Sequence, residues 1–169
     1  MKKMLIAALC TAVLFGCAHY MPQAELPPDV RNIAVPVFGN NTDKYGLEQY
    51  LTSKTIDEFL TDGKVGIAEI YKADAVVKGT ITKFVSTPIL FDSNQVPQQY
   101  RMRIYLDLSF FNNKEQRELY RMEDIWEETT YYVVNNLGMP AETEETARIR
   151  VLDSLASKIV RRVIYGRTN

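Results

Sequence analysis

The clearest pattern in the chain runs from Tyr100 to Phe110, where Tyr100, Met102, Ile104, Leu106, Leu108 and Phe110 alternate with Arg101, Arg103, Tyr105, Asp107 and Ser109. A period of two predicts an antiparallel strand with one face on a core and the other in water. Asn112-Asn113-Lys114-Glu115 supplies a turn, and a second strand from about Arg117 to Tyr131 completes a hairpin. Helical spacing replaces alternation in two places. Thr52, Thr55, Ile56, Phe59 and Leu60 fall at i, i+3, i+4, i+7 and i+8, which predicts an amphipathic helix from about Gly46 to Leu60, stopped by Asp62-Gly63. Leu152, Leu155, Ala156, Ile159, Val160, Val163 and Ile164 predict a second helix over about Thr143 to Tyr165. Its acids, Glu142, Glu144 and Glu145, lie at the start and Lys158, Arg161 and Arg162 near the end, the order that complements the helix dipole.

Shorter signals fill the gaps. Ile33, Val35 and Val37 mark a strand from Asn32 to Phe38, and Pro36, which has no N–H to give, predicts an edge position or a bulge there. Gly39 to Asp43 is a loop of turn formers, and strands are expected at Val65 to Ile70 and Ala75 to Phe84. Ser86 to Gln99 contains prolines and reads as a loop, long enough to serve as a contact element, with Asn94, Gln95, Val96, Pro97 and Gln98 as the candidate partner contacts. Two one-faced helices and a one-faced sheet can bury their apolar sides only against each other, so the fold class is α+β, a two-layer sandwich.

The N-terminus obeys different rules. Met1-Lys2-Lys3 is basic and Met4 to Phe15 is an apolar run of twelve, the layout of a signal peptide and short of the roughly 20 residues a membrane span needs. Leu14-Phe15-Gly16-Cys17 resembles the bacterial lipobox, in which the cysteine thiol carries the lipid and the chain is cut just before it. The competing reading is a secreted protein with an incidental cysteine. Cys10 falls inside the removed segment, so Cys17 has no disulfide partner. Acyl chains contribute about 0.8 kcal/mol per buried methylene, enough to anchor without a spanning helix. With Ala18 rather than aspartate after the cysteine, the lipobox resemblance implies export onward to the periplasmic face of the outer membrane. The expected organisation is a signal peptide over 1–16, a lipidated, proline-rich tether over 17–30 and a single domain over 31–166.

A composition of 46% hydrophobic and 24% charged residues fits one globular domain. Without residues 1–16 the chain has 18 basic and 21 acidic residues, net −3, which does not suit nucleic acid. His19, the sole histidine, lies in the tether, so no metal or nucleophilic centre of the usual types assembles and no cofactor is expected. Glu123-Asp124 and Glu127-Glu128 are adjacent pairs, which a strand sends to opposite faces. Arg101 and Arg103 share a face by their spacing, with Lys83 on a neighbouring strand and Arg117 and Arg121 on the hairpin partner. Such a face suits phosphate oxygens. It suits cross-strand pairing with Asp107, Glu118 and Glu123 equally well. Tyr100, Tyr105, Tyr120, Tyr131 and Tyr132 add amphipathic aromatics to the same region.

Leu26 to Asn41 (LPPDVRNIAVPVFGNN), Gly46 to Phe59 (GLEQYLTSKTIDEF), Ala73 to Ile81 (ADAVVKGTI) and the closing helix, in this order behind a lipobox, resemble the lipopolysaccharide-assembly lipoprotein LptE family. The resemblance implies two helices on a mixed, mostly antiparallel four-stranded sheet. It also implies a non-enzymatic subunit that plugs and stabilises the outer-membrane β-barrel LptD and contacts lipopolysaccharide, for which Lys83, Arg101 and Arg103 are the candidate residues. The alternative is a lipoprotein that activates a periplasmic cell-wall enzyme through the Ser86 to Gln99 segment.

Overall fold

The computed structural model describes residues 26–135 and 138–166. Strands β1 (Asn32–Ala34) and β2 (Gly39–Asn40) precede helix α1 (Leu47–Asp62). Strand β3 (Gly66–Ile67), the long strands β4 (Ala75–Phe91), β5 (Pro97–Asn112) and β6 (Arg117–Tyr132), and helix α2 (Glu144–Tyr165) follow. The sheet runs β3-β1-β4-β5-β6, with β2 also paired to β4. β4, β5 and β6 are antiparallel, while β1, β2 and β3 join in parallel. The sandwich therefore has six strands rather than four, because three two- or three-residue strands complete the side of the sheet next to β4.

Both helices lie on one face, where Phe59, Leu47, Leu51, Leu152, Leu155 and Ile159 meet Ile33, Ile81, Met102, Ile104, Leu106 and Phe110 in one buried core. β5 realises the alternation from Met102 to Phe110 in full, every second residue being buried. In α2 the Thr143 hydroxyl caps the first turn by accepting from Thr146 N–H, and the apolar stripe from Ala147 to Ile164 is buried as its spacing requires. The helices are pinned together by Tyr50 Oη, which donates to Asp153 at 2.9 Å, and by Tyr165 Oη, which donates to Asp62 at 3.0 Å.

Four expectations change. Helix α1 buries Leu47, Leu51, Thr52, Thr55 and Phe59, whereas Leu60 is 58% exposed, so its buried stripe is rotated towards the i, i+4 row that starts at Leu47. The strand expected over Asn32 to Phe38 is interrupted around Pro36, and Phe38 N–H leaves the ladder to donate to the buried Thr52 hydroxyl at 3.0 Å. The Val65 to Ile70 strand shrinks to Gly66–Ile67. The supposed loop from Ser86 to Gln99 is mostly strand: β4 continues to Phe91 and β5 begins at Pro97, leaving only a tight tip between them. Gly79 serves this packing directly, since a Cβ there would lie 3.1 Å from the Phe38 ring.

The helix-free face is not uniformly bare. Ala34, Ala73 and Val76 form a small second cluster beside Phe111 near the start of β4. The far half of the hairpin has no such cover.

Candidate functional site

The candidate site is that far half of the β4–β5 hairpin, on the face away from the helices. Its geometry depends on one extra residue. Val77, Gly79 and Ile81 pair with Phe110, Leu108 and Leu106 on the core face, and strict alternation would send Lys83 inward as well. Between Ile81 and Lys83 the register shifts by one residue, at Thr82. This bulge reverses the parity of β4. Lys83 now lies opposite Tyr105, Val85 opposite Arg103 and Thr87 opposite Arg101, all facing outward.

The structure thus brings Lys83, Arg101 and Arg103 onto one face, and it divides their roles. Arg103 is fully engaged: its Nε donates to Glu128 at 2.9 Å, a second nitrogen also pairs with Glu128, and its Nη1 donates to the Tyr105 hydroxyl at 3.1 Å. Its guanidinium lies 4.4 Å from the Trp126 ring centroid. The Tyr105 hydrogen bond and Glu128 both raise its pKa, so it stays charged. Among the described residues Arg101 has no carboxylate partner; Thr87 and Thr130 flank it across the sheet. Lys83 lies 5.4 Å over the Tyr105 ring and likewise forms no ion pair among the described residues. Arg117 and Arg121, by contrast, are paired with Glu115 and Glu118.

Around the two open cations the surface is apolar. Val85, Ile89, Phe91 and Trp126 are each about 40% exposed. Val85, Thr87, Ile89, Arg101, Arg103 and Tyr105 line a shallow groove of about 210 Å³. Cations beside contiguous exposed hydrocarbon can take an amphiphile that carries an anionic group. Reading single residues missed Trp126, Glu128 and the strip Val85, Ile89 and Phe91.

The candidate partner contacts divide between tip and strand. Asp92 Oδ1 accepts from Asn94 N–H at 2.8 Å and Val96 N–H at 2.9 Å, and Gln95 takes a positive φ of 62°. Val96 is half exposed at the tip, while Pro97 and Gln98 belong to β5. Of the acidic pairs, Glu127-Glu128 diverges: Glu127 meets Lys158 of α2 at 2.6 Å and Glu128 meets Arg103 on the other face. Glu123 and Asp124 form a bulge opposite Asp107, whose carboxylate accepts from Asp124 N–H at 3.0 Å. Cys17, His19 and Tyr20 lie outside the described residues.

Residues 30–163 match the family model described as LptE, lipopolysaccharide-assembly. No curated protein sequence is significantly similar to the chain. Among solved structures, an uncharacterized lipoprotein B from Nitrosomonas europaea superposes with a TM-score of 0.58 at 11% identity, covering 82% of this chain and 83% of that one. A hypothetical protein from Chlamydia trachomatis gives 0.51 at 7% identity, covering 78% and 96%. The rare lipoprotein B from Shewanella oneidensis gives 0.48 at 9% identity, covering 78% and 92%. At these identities the first two likenesses are of fold alone.

Proposed function

The chain belongs to the LptE lipopolysaccharide-assembly family, and from that membership we propose that it is a non-catalytic subunit of the outer-membrane export machinery, plugging and stabilising an LptD-like β-barrel and contacting lipopolysaccharide. Lipid on Cys17 would hold it at the periplasmic face of that membrane. The observation that carries the reading is the family match over residues 30–163.

The hairpin's outer face supports the lipopolysaccharide contact. This ligand joins phosphates to acyl chains, and the face sets Lys83 and Arg101 beside Val85 and Ile89. Arg101 and Lys83 are the phosphate contacts, because their charges are not spent on carboxylates. Arg103 shapes the groove wall through Glu128, Tyr105 and Trp126. The tip around Val96 is the proposed barrel contact.

Charge-assisted contacts are worth about 1.5 to 3 kcal/mol each, and about 1.4 kcal/mol is a factor of ten. Lys83→Glu with Arg101→Glu should therefore weaken binding of the full chain to purified lipopolysaccharide at least about tenfold. Arg103→Met should weaken it far less, and wild-type binding should fall with added salt. Equal affinity in the double variant, with an unchanged circular dichroism spectrum, would remove this face from the lipopolysaccharide path.

A further inference from the structure

β6 is an edge of the sheet, and an edge strand normally offers free N–H and C=O groups to any passing strand. Val133 N–H donates to Gln98 C=O at 3.0 Å, which sets the phase of the ladder. In that phase Tyr131, Thr129 and Glu127 bond to β5, while the backbone groups of Trp126, Glu128, Thr130 and Tyr132 turn outward. Three of these four outward carbonyls are already occupied. Lys158 Nζ donates to Trp126 C=O at 2.7 Å, the Arg150 guanidinium to Thr130 C=O at 3.3 Å, and Glu142 N–H to Tyr132 C=O at 2.7 Å.

Two of the caps come from α2, and their spacing fits the edge. Arg150 and Lys158 are eight residues apart, a rise of about 12 Å along a helix. Thr130 and Trp126 are four apart, about 13 Å along a strand. With α2 antiparallel to β6, both donors reach the edge at once. Each is steadied by an acid, Lys158 by Glu127 at 2.6 Å and Arg150 by Glu142 at 2.8 Å.

We infer that Arg150 and Lys158 cap a latent strand-addition edge that keeps the chain single, and that the strand this edge accepts when uncapped is β6 of a second copy, paired antiparallel about Thr129. That pairing is self-complementary. It sets Glu128 opposite Thr130 and Trp126 opposite Tyr132, whose N–H can reach Trp126 C=O while its own carbonyl keeps Glu142 N–H, so aromatic meets aromatic and no two carboxylates face each other. The segment from Trp126 to Tyr132 is also rich in residues that favour strands, namely Trp126, Thr129, Thr130, Tyr131 and Tyr132.

The test is the molar mass of the full chain in detergent, measured by light scattering over a range of concentrations. Wild type should remain one copy, and Arg150→Met with Lys158→Met, which keeps the apolar stems and removes the donors, should double in mass as concentration rises. Adding Thr130→Pro removes an outward N–H that β5 does not use and should restore the single copy. Thr129 meets its own equivalent at the axis, so Thr129→Cys with Lys158→Met alone, a milder change, should cross-link between copies on gentle oxidation. A wild-type dimer, a folded double variant that stays single, a dimer indifferent to Thr130→Pro, or no cross-link in the milder variant would each overturn the inference. Lipopolysaccharide affinity is a separate readout, so failure here is distinguishable from failure of the proposed function.

Discussion

Asp74 shows how much one side chain can organise. Its carboxylate accepts from the backbone N–H groups of Arg31 and Asn32 at 3.0 Å each and pairs with Lys114 at 2.6 Å, tying the entry of β1 to the β5–β6 turn. The Lys114 hydrogen bond, then those from Asn32 and Arg31, lower its pKa from 3.8 to about 2. A carboxylate held below its unfolded value stabilises the fold fully above that value, and the contribution is lost as pH falls through the folded one. Thermal stability should therefore drop between about pH 4 and pH 2 more steeply in wild type than in Asp74→Asn, which should itself be about 1 to 2 kcal/mol less stable at neutral pH. Parallel acid profiles for the two proteins would show that Asp74 carries no such load. None of this was visible in the sequence, where Asp74 was one acid among 21. Lys83 was equally opaque: its outward direction rests on the extra residue at Thr82, and alternation by itself points the wrong way.

Among the elements, legibility followed the contrast between faces. β5 and α2 each have one apolar and one polar side, so their periods stood out and their spans held. The far half of β4 carries Phe84, Val85, Pro88, Ile89, Leu90 and Phe91 with few polar residues between them, so no alternation stands out, and Pro88 and Pro97 suggested a loop. The same failure hid the candidate site, because the apolar strip beside Lys83 and Arg101 lay inside that supposed loop. In α1 Thr52, Thr55 and Phe59 are buried as their spacing indicated, but the stripe continues through Leu47 and Leu51 rather than Leu60, and the two threonines are satisfied within the fold. Thr52 Oγ1 donates to Glu48 C=O at 2.6 Å while accepting from Phe38 N–H. Thr52→Val keeps the shape and leaves that buried N–H without a partner. The expected loss is about 1 to 3 kcal/mol in chemical denaturation, with α1 content unchanged by circular dichroism. A loss below about 0.5 kcal/mol would mean that the β1–β2 link is held by packing instead.

At the scale of the whole molecule the start of β1 and the candidate site lie at opposite ends of the long strands. The chain enters β1 beside Asp74, and β4 then runs 17 residues to Phe91, about 50 Å at a strand's rise. The proposed lipid on Cys17 would be tethered through the Asp74 end, with the tip and the outer face at the other end of the hairpin. Family membership places the protein in lipopolysaccharide assembly, and the sheet leaves the face opposite its two helices uncovered around Lys83 and Arg101. The most direct test of that account is affinity purification of the full chain from detergent-solubilised outer membranes, with the captured proteins identified by mass spectrometry. The account predicts an LptD-like β-barrel in stoichiometric amount; recovery of a peptidoglycan synthase in its place, with no barrel, would contradict it.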